Sequence, residues 1–202
     1  MRLYTYSIAP NPRRVHVYLA EKGIELTLET VDIATAANRS PEFLKKNPLG
    51  GLPVLELDDG SHLTESLAII EYFEELHPEK PMIGRTPLER ARTREVERIA
   101  EIGVLSQVGT IFQNTSPLFA GRVKQSADAA QNARARLANS LTVLDHKIGD
   151  KPFVLGGEPT IADCTLFAAL RFGEFAGAPL DPGFRKLARW YTAFAQRPSA
   201  RD

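Results

Sequence analysis

The hydrophobic period of this chain changes once, at Pro78-Glu79-Lys80-Pro81. Residues 1–78 mix short apolar runs with stretches of helical spacing, whereas from about residue 84 onward only spacing near 3.6 recurs. Two prolines within this segment each remove a backbone donor and restrict the residue before them, so no regular element continues through it. A chain of 202 residues accommodates one large or two small domains. The change of period selects two: a mixed α/β domain over 1–78, a linker over 79–87 and an all-helical domain over 88–202.

In the first part, Arg2 to Tyr6 and Glu25 to Val31 read as strands around a helix that Asn11 can cap, with Pro12 at its start and Gly23 at its end. A short helix is expected near Pro41 to Lys46. Pro53 to Leu57 and His62-Leu63 then flank Asp58-Asp59-Gly60, a hairpin signature, and a helix from Ser66 to about Leu76 carries Ile69, Ile70, Phe73 and Leu76 on one stripe. The order is βαβ, a short helix, then ββα. In the second part helical spacing covers Leu88 to Phe112, Ala127 to Ile148, Thr160 to Phe172 and Phe184 to Ala195.

Charge narrows the partners. Lys and Arg balance Asp and Glu at 25 each, so no global field draws the protein to nucleic acid or to an anionic membrane. The balance conceals a split: residues 1–78 hold 7 basic against 12 acidic side chains, and residues 79–202 hold 18 against 13, or about −5 and +5. Arg90, Arg92, Arg94 and Arg98 interleave with Glu89, Glu95, Glu97 and Glu101, which reads as a solvated helix face rather than a nucleic-acid stripe. One cysteine excludes a disulfide framework and a CxxC pair, and Cys164 lies in an apolar helical stretch expected to be core. His16, His62, His77 and His146 have no ligand spacing, so no metal is expected, and Gly156-Gly157 lacks the rest of a phosphate-binding loop. The start MRLYTYSIAP lacks a leader's apolar core and no window holds about 18 apolar residues, so a cytoplasmic protein is expected.

The constellation with most chemistry is Leu52-Pro53-Val54 followed by Glu65-Ser66 at the head of a helix. A strand opened by proline can present backbone N–H and C=O groups to an extended peptide. Ser66 sets a hydroxyl beside the free N–H groups of a helix start, which suits a carboxylate, and Glu65 supplies an anion for an ammonium group. Together they describe a receptor for a small zwitterionic peptide. The same residues also read more plainly, as an edge strand opened by Pro53 and a helix capped by Ser66.

The run Asn47-Pro48-Leu49-Gly50-Gly51-Leu52-Pro53-Val54-Leu55, then Leu63-Thr64-Glu65-Ser66-Leu67-Ala68-Ile69, resembles the glutathione-binding motifs of the cytosolic glutathione transferase family. Thr160-Ile161-Ala162-Asp163 resembles the same family's capping box in the second domain, where Thr160 and Asp163 can satisfy each other's backbone. The resemblance spans the whole chain and is nearest to an atypical bacterial and fungal subgroup. It implies a thioredoxin-like N-terminal domain, an all-helical C-terminal domain, a homodimer, and glutathione as co-substrate with no metal. It further implies that Leu52-Pro53 is cis, that Val54 pairs its backbone with the cysteinyl unit, and that Glu65 and Ser66 hold the γ-glutamyl end.

Activating glutathione means stabilising its thiolate, since a thiol of pKa near 8.5 is only a few per cent ionised at about pH 7. Ser7, at the end of the first strand, sits where family members keep a Tyr, Ser or Cys; Asn11 is the second candidate. Both also read blandly, as a strand-end hydroxyl and a cap. Gly51 replaces the Lys that many members keep before Val-Pro, so Arg14 and Lys46 are the candidate cations for the glycyl carboxylate. The resemblance places a hydrophobic electrophile against Ile8, Ala9, Phe112, Gln113 and Phe119. Glutathione transfer is the expected reaction. The alternatives are a glutathione-dependent peroxidase or disulfide reductase working without an enzyme cysteine, and a noncatalytic protein that keeps the fold as an interaction module.

Overall fold

The computed structural model describes residues 1–201. Strand β1 (Arg2–Thr5) pairs in parallel with β2 (Thr27–Thr30) and antiparallel with β3 (Val54–Glu56), which in turn pairs antiparallel with β4 (His62–Thr64). The sheet order is β2-β1-β3-β4. A parallel pair needs a crossover, and helix α1 (Pro10–Lys22) supplies it. Helix α2 (Pro41–Lys46) precedes β3, and α3 (Ser66–Leu76) follows β4, the order expected of a thioredoxin-like domain. These elements form one unit over Met1–Pro81 and the remaining helices a second over Met82–Arg201.

In the first unit, strand alternation sends the fully buried pair Leu3 and Leu55 to one face of the sheet and Tyr4 and Val54 to the other. Phe43 of α2, Val31 and the partly buried Leu52 close the second face. Val15, Tyr18, Ile69, Ile70 and Phe73 are likewise fully buried. Leu76 departs from the expected stripe, standing 46% exposed at the last turn of α3. Gly23 ends α1 in the left-handed conformation, as its position implied. The beginning of α1 differs from expectation. Pro10 takes the first helical position with its preset φ, Ala9 becomes the N-cap residue, and Asn11 lies inside the first turn and caps nothing.

The far ends of α1 and α3 are joined by a buried ion pair. Lys22 Nζ lies 3.1 Å from Glu74 Oε1, with both side chains 1% exposed, and Tyr18 donates its hydroxyl to the same carboxylate at 2.8 Å. Lys22 also donates to the carbonyls of His77 and Lys80 at 2.6 and 2.7 Å, which ties down the proline segment. A buried charge left without these partners would be costly, so the five groups stand or fall together.

The second unit begins at α4 (Pro87–Arg98), capped by a reciprocal Thr86–Glu89 box. The run expected over Leu88 to Phe112 is present, but it contains a π-helical stretch, Ile99–Leu105, before α5 (Ser106–Thr115). Helix α6 (Ala127–Ile148) approaches this stretch so closely that a Cβ on Gly103 would lie 2.4 Å from Ser140 Oγ. Helix α7 (Ile161–Phe175) is buried on every side from Ile161 to Leu170, Cys164 included, and α8 (Arg185–Ala195) adds Leu187, Trp190 and Phe194 to the core. Glu97, read as part of a solvated face, is instead buried and accepts the Thr165 hydroxyl at 3.2 Å.

Asp163 carries the start of α7. Its carboxylate, fully buried, accepts the N–H groups of Val154 and Thr160, the Thr160 hydroxyl and the Trp190 indole N–H, at 2.9, 2.9, 2.9 and 3.0 Å. Burial disfavours the anion and four donors favour it; the balance leaves its pKa raised from 3.8 to about 6.

Candidate functional site

The sheet register gathers the sequence candidates at one end. Tyr4, Val54 and Thr64 form one row across β1, β3 and β4, and this row is the last of β1's pairing with β3, the first of β3 and the last of β4. Ser7 therefore follows β1, Leu52-Pro53 precedes β3 and Glu65-Ser66 follows β4 off the same edge of the sheet. The Leu52-Pro53 bond is cis.

Helix α3 opens without a side-chain cap. The first intrahelical bond runs from Ile69 N–H to the Glu65 carbonyl at 3.0 Å, and among the described residues the N–H groups of Ser66, Leu67 and Ala68 have no protein partner. Glu65, not Ser66, is the N-cap residue, and its side chain bonds to none of these groups. Its backbone sits at φ 67°, ψ 116°, a conformation costly for any residue but glycine. Ser66 is 2% exposed and its Oγ accepts Arg14 Nε–H at 2.7 Å. With a lone pair taken by a guanidinium, the hydroxyl keeps its proton to donate to another acceptor. Three amides, one polarised hydroxyl and the positive end of a helix thus converge on one place, an arrangement that binds an anion.

The loop before β3 is held by its own side chains. Asn47 accepts Leu49 N–H at 3.0 Å and donates to the Gly51 carbonyl at 2.9 Å; Asn38 donates to the Gly50 carbonyl at 2.7 Å, and Arg39 to the Leu49 carbonyl at 2.9 Å. Gly50 is required here. Its φ is +62°, and a Cβ would lie 2.8 Å from the Asn38 carbonyl. Beyond this loop, the N–H and C=O of Leu52 have no protein partner among the described residues. Val54, by contrast, lies between Tyr4 and Thr64 inside the sheet, where its backbone groups belong to the ladder. Leu52, rather than Val54, thus has its backbone groups open to an outside partner.

Ser7 lies in the turn closed by Ala9 N–H and the Tyr6 carbonyl at 2.9 Å; it is exposed and its hydroxyl has no protein partner among the described residues. Ile8 is 59% exposed and Ala9 half-buried. Asn11 is exposed in the first turn of α1, between Pro10 and Pro12, which have no N–H to offer.

Neither expected cation stands ready for a carboxylate of its own. Arg14 is 2% exposed and turned inward onto Ser66. Lys46 lies 4.6 Å over the Tyr4 ring and 3.5 Å from Glu56 Oε2, in the row of the sheet two residues away from the site end. The Tyr4 hydroxyl and the Glu56 carboxylate hold its pKa above the ordinary lysine value. A cation that the sequence reading did not offer, Arg39, is exposed and held against the backbone of Leu49-Gly50, shortly before Leu52. Its signal was Gly50, whose missing Cβ leaves room for the guanidinium.

In the second unit Phe112 meets Phe119 edge to face at 5.3 Å, with Gln113 exposed. Phe172 and Phe175 complete the group, 5.4 and 5.3 Å from Phe112, and Phe175 is 60% exposed. Their i, i+3 spacing at the end of α7 was the available signal.

Residues 8–76 match the family model described as "Glutathione S-transferase, N-terminal domain", and residues 127–193 match "Glutathione S-transferase, C-terminal domain". The chain is 31% identical over 205 residues to glutathione S-transferase 2 of Saccharomyces cerevisiae, covering all of this chain and 88% of that protein. It is 32% identical over 199 residues to maleylacetoacetate isomerase of Pseudomonas aeruginosa, covering 93% and 89%. The crystal structure of Gtt2 from Saccharomyces cerevisiae superimposes with a TM-score of 0.91 at 30% identity, over 99% of this chain and 98% of that one.

Proposed function

The chain belongs to the glutathione S-transferase family, and on that premise we propose that the sheet end described above binds glutathione and that the protein directs its thiolate at a hydrophobic electrophile. The carrying observation is the open start of α3: three unpartnered amides and a buried serine hydroxyl set beside Arg14. In this reading Ser66 and the α3 amides hold the γ-glutamyl carboxylate, and Glu65 meets the α-ammonium group. Leu52 pairs its backbone with the cysteinyl unit, cis Pro53 aims that residue, and Arg39 receives the glycyl carboxylate.

Ser7 stands at the sulfur in this reading. A hydroxyl donor and the positive end of α1, which also lacks a side-chain cap, each stabilise the anion on the scale of the 1.4 kcal/mol that lowers a pKa by about one unit. Asn11 is the second group within reach of the same turn. The electrophile packs against the rings of Phe112, Phe119, Phe172 and Phe175, an apolar surface that favours a flat hydrophobic acceptor. Detoxification of such compounds in the cytoplasm is the role this chemistry serves.

We infer assembly as a homodimer, which membership of the family implies and which the opposite charges of the two parts, about −5 and +5, favour. Pairing the first part of one copy with the second part of another juxtaposes unlike charge, which mainly speeds association. Sedimentation at micromolar protein should give a dimer. Its association rate should fall as the Debye length shrinks from about 30 Å at 0.01 M salt to about 8 Å at 0.15 M.

Calorimetric titration with glutathione, followed by a spectroscopic thiolate titration of the complex, tests the function. Binding with a lowered thiol pKa and turnover of an aromatic electrophile is the expected result. Turnover of peroxides or disulfides alone would favour the reductase alternative, and no binding would leave an interaction module.

A further inference from the structure

We propose that Gly109 is a specificity-determining residue for the electrophile. The side chain it lacks leaves a recess in α5, beside the ring of Phe112, that admits acceptors wider than a single aromatic ring. The inference rests on the reading that the electrophile packs against the phenylalanine rings of this unit.

Glycine is a poor helix former, so one placed inside a helix calls for a reason. Among the described residues of the helical unit, Gly103, Gly109 and Gly173 lie inside helices. Two of them are required by packing. A Cβ on Gly103 would collide with Ser140 of α6, and one on Gly173 would lie 2.6 Å from the Ala178 carbonyl oxygen. Gly109 has neither reason. Its φ lies outside the left-handed range, and a Cβ there would meet no atom within 4 Å. Alanine fits this position without strain, so no contact within the chain asks for glycine.

The surroundings of Gly109 suit an apolar occupant. Gly109 is half-buried although the space over it is empty, so it forms the floor of a recess and not a bare helix face. Phe112 stands three residues on, and a helical side chain leans back over the turn before it. Its ring is drawn to Phe119, Phe172 and Phe175, at 5.3, 5.4 and 5.3 Å, which keeps the space over Gly109 open and gives it an aromatic wall. The neighbouring hydroxyls are turned onto the helix itself. Ser106 donates to the Glu101 carbonyl at 3.0 Å and Thr110 to the Ser106 carbonyl at 2.9 Å. Water in the recess finds few partners, whereas an apolar ring gains contact with Phe112 and with the helix backbone. A single ring makes its contacts within the phenylalanine group; a second, fused ring extends past it into the room that Gly109 leaves.

The test compares the full chain with Gly109→Ala and Gly109→Leu on benzyl isothiocyanate and naphthylmethyl isothiocyanate, which share one reaction and differ by one ring. The glutathione sulfur bonds to the isothiocyanate carbon, the C=N π pair moves to nitrogen, and nitrogen takes the thiol's proton; nothing leaves. In the wild type the naphthyl acceptor should have the higher kcat/KM. The naphthyl-to-benzyl ratio should fall about tenfold in Gly109→Ala and further in Gly109→Leu. The melting temperature of Gly109→Ala should rise by about 2 to 4 °C, because alanine is the better helix former. A more stable protein that discriminates less is an outcome a merely structural glycine would not give. Gly109→Ala alone decides the matter should Gly109→Leu fail to fold. An unchanged ratio would overturn the proposal, and a changed sedimentation beside that unchanged ratio would assign the recess to a second copy of the chain. A lowered melting temperature in Gly109→Ala would also overturn it, by making the glycine a packing requirement. A wild type that turns over neither acceptor would overturn the acceptor reading and this inference with it, a failure seen before any variant is made.

Discussion

Helices α3 and α7 begin in opposite ways, and the difference separates what holds this protein together from what it is built to bind. At α7 all but one of the donors are taken, Ala162 N–H having no protein partner among the described residues. Ile161 N–H bonds to the Met82 carbonyl at 3.1 Å, Asp163 and Cys164 N–H to the Thr160 carbonyl at 3.0 and 3.3 Å, and Asp163 closes the Thr160 N–H. At α3 the amides of Ser66, Leu67 and Ala68 are left to the outside, and the residue in the capping position is a strained glutamate whose side chain caps nothing. Four further helix starts are closed like that of α7, whereas α1, with Ala9 as its N-cap residue, also lacks a side-chain cap. Ser40, Thr86 and Ser126 cap α2, α4 and α6, and Asp145 accepts the Lys186 and Leu187 amides of α8 at 2.9 Å. The α3 amides, at a partly exposed helix end, are left to water or to a ligand.

The largest effect should come from the closed end. Asp163→Ala strands four donors, and breaking a buried charged network of this kind costs about 3 to 5 kcal/mol, read by chemical denaturation. Its glutathione affinity, measured on folded protein, should hardly move. A pH series sharpens the point. With Asp163 near 6 in the fold and 3.8 unfolded, the native state keeps a proton that the unfolded chain has released between those values. Asp163 therefore contributes a loss of stability as pH rises through that window, about 3 kcal/mol in all, levelling off above it. Asp163→Asn should remove this slope from the difference between denaturation curves at about pH 4 and about pH 7.

At the open end the ranking should invert. Ser66→Ala should weaken glutathione binding by about 1 to 3 kcal/mol, the worth of a charge-assisted bond in a desolvated place, while stability falls by only about 1 kcal/mol. Equal losses in both measurements would erase the distinction between the two helix starts. Smaller still is Ser7→Ala. The bound thiol pKa should rise by about one unit, with affinity at low pH unchanged, and a pKa that stays in place would pass the role to Asn11.

Both helix starts were legible in the sequence as Glu65-Ser66 and Thr160–Asp163, because capping chemistry is local and leaves its residues at fixed spacing. The hairpin and the crossover helix were legible because their turn and end residues are likewise local. Contacts made at long range were not. Arg14 reads as a spare cation until the fold brings Ser66, 52 residues later, to its Nε. Lys46 reads the same way until Tyr4 and Glu56 arrive beneath it. Asn11 looks like a cap only if Pro12 is the first helical residue, and Pro10 starts the helix earlier. The π-helical stretch at Ile99–Leu105 hid because one wide turn barely disturbs a helical period.

The most direct test is to follow backbone amide resonances by NMR as glutathione is added. The Ser66, Leu67 and Ala68 amides should shift strongly and saturate together with calorimetric binding, while those of Ile161 and Asp163 stay in place. Binding that leaves the three α3 amides unmoved would contradict the account, because glutathione would then sit elsewhere and the open helix start would have no ligand.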